Sequence, residues 1–321
     1  MPIVRTVTGD IDVSQLGITN AHEHVLIRSG LIIAKEPDFR LDSVEKAVEE
    51  LTEYSTFGGN ALVDTAPIGI GRDPEGLAQV SRQSGIHIIA ATGFHKTKYY
   101  LDSHWRFHYS AQEIAGLLIE EIREGMDQHS FEGPFRRKTS VRAGIVKVAS
   151  DYQFMDSATR VAFESAAIAH KETGAPVLTH TEMGTLAMEQ LKLLEALGVP
   201  PQHIVLSHMD RNPDLILHCE LARTGVFLEY DGPGRIKYFP ESTLTSLMRG
   251  VFEAGLGAQI LLGGDTARRS YWKAYGGGPG LAYMLEHFIP RLQSEGMNDE
   301  QIQQVLVKNP ARAFAFAERA G

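Results

Sequence analysis

Eight short apolar runs, most followed by a stretch of helical periodicity, restrict what this sequence can fold into more than any other feature. They are GITNAHEHVLI (17–27), NALVDTA (60–66), IHIIAATG (86–93), RAGIVKVAS (142–150), PVLTHT (176–181), HIVLSHM (203–209), VFLEYDG (226–232) and QILLGGD (259–265). Between them lie amphipathic segments such as SVEKAVEELTEYSTFG, SAQEIAGLLIEEIREGMD and TRVAFESAAIAHKETG, the last ending on glycine as a helix stop should. Runs that are apolar almost throughout suit a parallel sheet covered by helices. Eight strands close a (β/α)8 TIM barrel. A doubly wound open sheet is the alternative, but it would usually show a glycine-rich phosphate fingerprint after an early strand, and none is present. No Pro/Ser-rich linker, repeat or low-complexity segment interrupts the chain, so residues 1–321 read as one barrel domain. LAYMLEHFIPRLQ, NDEQIQQVLV and PARAFAFAERA predict extra C-terminal helices.

Charge and cysteine usage narrow the function classes. The formal net charge is −9 and no Lys/Arg tract stands out, which argues against nucleic acid or a membrane surface as partner. The only cysteine, Cys219, excludes disulfide scaffolds and thiolate metal sites and suits a reducing compartment. The first residues show no apolar h-region, and no apolar run approaches the roughly 18 residues that span a bilayer. The expectation is a soluble cytoplasmic protein.

The polar residues on the strands carry the chemistry. Strand alternation places His22 and His24 on one face, with Ala21, Glu23 and Val25 on the other. One H-x-H says little, since chance supplies about half such a pair in a chain with 13 histidines. The other runs repeat the pattern, with Lys147 in the fourth, His180 in the fifth, His208 in the sixth and Asp265 in the eighth, each near a C-terminal end. Such ends converge on one mouth of a barrel, where barrel active sites are built. Taken singly, Asp265 could be a helix N-cap, His180 and His208 loop hydrogen-bonders, and Lys147 a snorkelling side chain. Taken together, they read as a metal site.

Four imidazoles and a carboxylate without thiolate suit zinc, cobalt, manganese or iron(II), with zinc the first expectation. Five such ligands exceed what one tetrahedral ion needs, so two ions are expected. Two divalent ions need an anionic bridge. Burial in an apolar strand favours the neutral amine of Lys147, and a neutral amine can take up carbon dioxide to form a carbamate that could bridge both ions.

The set AHEH, GIVKVAS, LTHTEMGT, LSHMDRNPD and GGDTARRSYW, with EEIREGMD before the fourth strand, resembles the phosphotriesterase family of the amidohydrolase superfamily over almost the whole chain. The resemblance implies that His22, His24 and Asp265 bind a first ion and that His180 and His208 bind a second. It also implies carboxylated Lys147 and a hydroxide between the ions, attack by that hydroxide on a carbonyl or phosphoryl centre, and proton transfer by Asp265 to the leaving group. Lys147 and Asp265 are thus the expected catalytic residues. A homodimer is expected on the same ground.

The loops after strands seven and eight, DGPGRIKYFPES and DTARRSYWKAYGGG, concentrate Arg235, Lys237, Tyr238, Arg268, Arg269, Tyr271 and Lys273. Arginine and tyrosine together suit oxygen-rich anions, although Arg269 and Lys273 read better as solvated charges. Lys237, Arg268 and Tyr271 resemble the phosphate-recognising residues of the branch that opens phosphorylated sugar lactones. The first expectation is therefore hydrolysis of a phosphorylated aldono-lactone, an anionic small molecule. The rivals are an N-acyl-homoserine lactonase, a phosphotriesterase and a non-catalytic metal-containing binding protein. In TGFHKTKYY, His95 stands where the family often carries an aromatic, and Lys96 and Lys98 add local positive charge. His95 is carried forward as a candidate substrate contact.

Overall fold

The computed structural model describes residues 2–318. An antiparallel hairpin comes first, β1 (Ile3–Thr6) against β2 (Gly9–Asp12), with Ile3 opposite Asp12 and Thr6 opposite Gly9. Eight parallel strands follow: β3 (Thr19–Glu23), β4 (Ala61–Asp64), β5 (His87–Gly93), β6 (Ile145–Ala149), β7 (Val177–His180), β8 (Ile204–Ser207), β9 (Phe227–Tyr230) and β10 (Ile260–Leu262). Each pairs with its neighbours in chain order. Beyond β10, the N–H groups of Gly264 and Asp265 donate to the carbonyl of His22 at 3.1 and 2.9 Å, bridging the seam between last and first strands. The eight runs read from the sequence are these eight strands, and the fold is a TIM barrel with C-terminal helices.

Helical periodicity explains the outer layer. The helix Val44–Thr56 buries Val44, Ala47, Leu51 and Tyr54, a spacing of three and four that lays one stripe on the barrel. Ser43 caps it by accepting the Lys46 N–H. Ser157–Thr173 ends at Gly174, whose φ of 80° is left-handed and favours glycine. On β6, Val146 and Val148 join the layer that packs against the helices. Ile145 points the other way, into a cluster inside the barrel with Val63, Ala91, Leu178, Val205 and Leu261. Lys147, two residues on, shares the inward face of Ile145.

Three elements differ from the sequence reading. The N-terminal hairpin was not anticipated. Its four-residue strands are too short for a periodic signal, and it is held by tertiary contacts, including Arg5 donating to Asp10 at 2.7 and 2.8 Å and to the Ile122 carbonyl at 2.6 Å. Strict alternation also fails in the first barrel strand. A register shift between Asn20 and Glu23 sets Ala21 and His22 together against β4, so Ala21 packs inside the barrel, and the strand ends at Glu23, before His24. PARAFAFAERA is helical only to Ala313. Phe314 and Phe316 then turn into the core, and residues 319–320 lie outside those described. Among the described residues, no helix is long and apolar enough to cross a membrane.

Candidate metal centre

The C-terminal ends of the strands gather the polar residues. His22 is the penultimate residue of β3, Lys147 lies in β6, His180 closes β7, and His208 directly follows β8. All six expected ligands are buried. Ring centroids lie 5.8 Å apart for His22 and His24, 4.8 Å for His22 and His208, and 4.4 Å for His180 and His208. Lys147 Nζ is 3.4 Å from His22 Nε2, and His24 Nε2 is 3.6 Å from Asp265 Oδ1. His208 and Asp265 have φ of 65° and 46°. For residues with a Cβ this left-handed backbone costs on the order of 1–3 kcal/mol, a strain found most often at functional sites.

Glycine makes room for this gathering. A Cβ on Gly263 would lie 2.7 Å from the Cβ of His22 and 2.8 Å from Glu229 Oε1. One on Gly264 would collide with Glu23 Oε1. The pair GG in QILLGGD is therefore a close-approach requirement, with Asp265 delivered directly after it.

Two groups of buried donor atoms lie within 4.8 Å of one another, His22 with His24 and Asp265, and His22 with His208, Glu229 and Asp231. The fit to divalent cations can be tested on protonation. Burial pushes His22, His24 and His208 down to about 3 and His180 well below its ordinary value, so all four are neutral, the state in which imidazole ligates. Burial also lowers Lys147 to about 8, although Glu229 and Asp265 pull the other way. Burial alone would raise Asp265, but Arg235 and Arg211 hold its carboxyl well below the usual range. His24 Nδ1 and Glu229 Oε1 are buried without a hydrogen-bond partner among the described residues. The donor set fits divalent ions on this chemistry. His180 stands outside both groups, its Nε2 donating to Glu182 Oε2 at 2.7 Å.

Several site residues escaped the sequence reading. Glu229 accepts from His22 Nδ1 at 2.8 Å, and Asp231 accepts from His208 Nδ1. Arg211 reaches Asp231 and Asp265 at 2.8 and 2.7 Å. Glu229 and Asp231 sit two apart in VFLEYDG, at the end of an apolar run, which is the same signal that singled out Lys147 and His180. Glu182 follows His180 by two residues and pairs with Lys96.

A cavity of about 250 Å³ opens over this cluster. Lys237, Tyr238, Arg268, Arg235, His95 and Lys98 lie on its wall. Arg235 is turned inward onto Asp265, pairing with its carboxylate and donating to its carbonyl at 2.5 Å. Arg268 lies over the Phe39 ring at 4.2 Å. Lys237 makes no ion pair among the described residues and stands 4.9 Å from the Tyr238 ring centroid. Tyr271 is packed against the core with Arg235 5.7 Å from its ring and does not line the cavity. Lys273 pairs with Glu53 and Glu286, and Arg269 lies 4.5 Å over Tyr275, both away from the cavity wall. His95, its ring 5.0 Å from His180, accepts the Lys96 N–H on Nδ1 at 2.7 Å. Desolvation and Lys96 hold its pKa well below the ordinary value. The neutral ring then carries its proton on Nε2, a donor.

The model of the phosphotriesterase family matches residues 2–314. A phospho-furanose lactonase of Mycoplasmopsis synoviae (strain 53) is 36% identical, over 98% of this chain and 92% of its own length. The crystal structure of an amidohydrolase from Mycoplasma synoviae superposes with a TM-score of 0.96 at 36% identity, covering 100% of this chain and 94% of that one. A lactonase structure from Listeria monocytogenes gives 0.91 at 32% identity, covering 98% of this chain and 100% of that one.

Proposed function

The chain belongs to the phosphotriesterase family of metal-dependent hydrolases, and from that premise we propose that it opens the ring of a phosphorylated sugar lactone. In this reading His22, His24 and Asp265 would hold one divalent ion, zinc first among the choices, His180 and His208 would hold a second, and Lys147, as its carbamate, would supply a further anionic ligand. Bound ions of this kind supply Lewis acidity toward a carbonyl oxygen and make water nucleophilic near neutral pH.

The side chains do the rest. Ring opening consumes one water. Its oxygen ends on the carbonyl carbon, the ester C–O bond breaks, and a proton must reach the leaving ring oxygen. Asp265 is suited to carry that proton. Arg211 and Arg235 keep it ionised, and so free to accept, and hold it beside His24; so low a pKa makes it a weak base, and a proton it does take up passes on readily. His95 presents Nε2–H as a donor to the ester. Lys237 and Arg268 would receive the phosphate, with Tyr238 beside them.

The observation that carries the substrate class is the wall of the cavity. It is small, about 250 Å³, and apart from Ile27, Ile32, Phe39, Ala267 and the rings of Tyr99 and Tyr238 its lining is ionisable. A long acyl chain needs an extended apolar channel, whereas a compact anionic sugar matches Lys237, without an ion pair among the described residues, and the guanidinium of Arg268. The phospho-furanose lactonase relative supports the same substrate class. The test pairs each candidate lactone with its dephosphorylated counterpart, on the unaltered enzyme and Arg268→Ala. The substitution should raise KM for the phosphorylated member about 10- to 100-fold and leave the neutral one unmoved. Equal damage to both members would rule out the phosphate-site assignment.

A further inference from the structure

We propose that Glu229 is a positioning residue that fixes which ring nitrogen His22 presents to the metal centre, acting from β9 in parallel with Asp231, which does the same for His208. The inference rests on the metal-centre reading above.

The two carboxylates stand two residues apart, Glu229 within β9 and Asp231 directly after it. Each backs one imidazole from a different part of the barrel, Glu229 the His22 of β3 and Asp231 the His208 that follows β8. A neutral imidazole has one N–H. Ionised, Glu229 can only accept, so its oxygen 2.8 Å from His22 Nδ1 places the imidazole proton there and leaves the Nε2 lone pair free, facing Lys147 Nζ at 3.4 Å. Carboxylates in this position orient ligand histidines and raise their basicity.

The surroundings of Glu229 argue against a merely structural role. It is fully buried, and among the described residues its Oε1 accepts no hydrogen bond of normal geometry, with the Ser207 side chain as a neighbouring donor. Asp231 is balanced by Arg211 at 2.8 Å, but the only ion-pair partner of Glu229 among the described residues is His22 itself. Other inward positions of the barrel carry Leu178, Val205 and Leu261, and a leucine at 229 would avoid the desolvation that a buried carboxylate suffers. The chain instead keeps the acid and leaves Gly263 bare beside it.

A rival role exists on the same geometry. The Glu229 oxygen lies within 4.8 Å of donor atoms of His22, His208 and Asp231, so it could itself be a ligand. Two substitutions separate the roles. Glu229→Gln keeps an oxygen that accepts the Nδ1–H, and Glu229→Leu removes it at similar volume. Each protein is loaded with cobalt(II), and affinity is read by chelator competition alongside the visible spectrum. Expected is retention within several-fold in E229Q, and a ten- to hundred-fold loss in E229L with an altered spectrum. Unchanged affinity in E229L overturns the proposal. So does E229Q as damaging as E229L, the signature of a lost ligand. Wild-type protein that takes up no divalent ion overturns the metal-centre reading and this inference with it, which distinguishes the two failures. Should E229L not fold, nitrogen-15 spectra of metal-free, histidine-labelled wild-type and E229Q protein decide. A proton on His22 Nδ1 in both supports positioning, and a proton on Nε2 in the wild type overturns it.

Discussion

Arg268 Nη2 stands 2.6 Å from Glu36 Oε2, and both side chains line the cavity over the histidine cluster. Asp38 lies 3.9 Å from the same guanidinium. A carboxylate thus occupies the group that, in the proposed function, receives the phosphate. Substrate must displace Glu36, and a pair of this kind near the surface is worth about 0.2–1 kcal/mol. Glu36→Gln should therefore lower KM for a phosphorylated lactone by up to about fivefold at low salt, with kcat unchanged. Initial rates on phosphorylated and neutral substrates check this. A higher KM for the phosphorylated substrate would mean that Glu36 aims Arg268 instead.

Burial sets the pH dependence of assembly. Ordinary histidines would have to lose protons near pH 6.5 before binding ions, but burial holds His22, His24 and His208 at about 3. Lys147, lowered by the same cause to about 8, would in the proposed centre be the group whose deprotonation limits carbamate formation. Below that value the neutral amine grows tenfold per pH unit. Metal uptake by chelated protein in bicarbonate buffer should rise with pH and level off near 8, as followed by metal analysis. A midpoint near 6.5 would point to histidine deprotonation. Lys147→Ala should lose this dependence and regain part of its metal retention when a short carboxylic acid is supplied.

Gly263 is held to glycine by packing. Its added Cβ would meet the Cβ of His22, a branch point that cannot swing aside as the end of a flexible side chain would. Gly263→Ala should cost about 1–3 kcal/mol of stability by overpacking and lower metal content, measured by denaturant unfolding and metal analysis. Gly116, where an added Cβ meets nothing within 4 Å, is the control for substitution as such.

His95 works uncharged in the proposed mechanism, because desolvation and Lys96 hold it well below its ordinary pKa. Its contribution should therefore be independent of pH between about 5.5 and 7.5. His95→Phe should lower kcat/KM by up to about tenfold, the worth of one neutral hydrogen bond, by the same factor across that range. An inflection near pH 6.5 present in the wild type and absent from the variant would show that the imidazole titrates and acts as an acid or base.

What the amino-acid sequence determined by itself was the barrel and most of its ligand candidates. Apolar runs and helical stripes are local patterns, and a polar residue at the end of an apolar strand is visible without knowing its neighbours. His22, Lys147, His180 and His208 were legible for that reason. The bulge that brings Ala21 and His22 onto one face of β3 was not, because it is imposed by pairing with β4. Nor were the bonds from Glu229 to His22, 207 positions away, and from Arg235 to Asp265. Glu36 facing Arg268 and Tyr271 turned from the cavity were equally hidden. Only the closed barrel decides these, because a charged side chain takes the partner that closure leaves within reach, and closure joins residues whose separation along the chain carries no information.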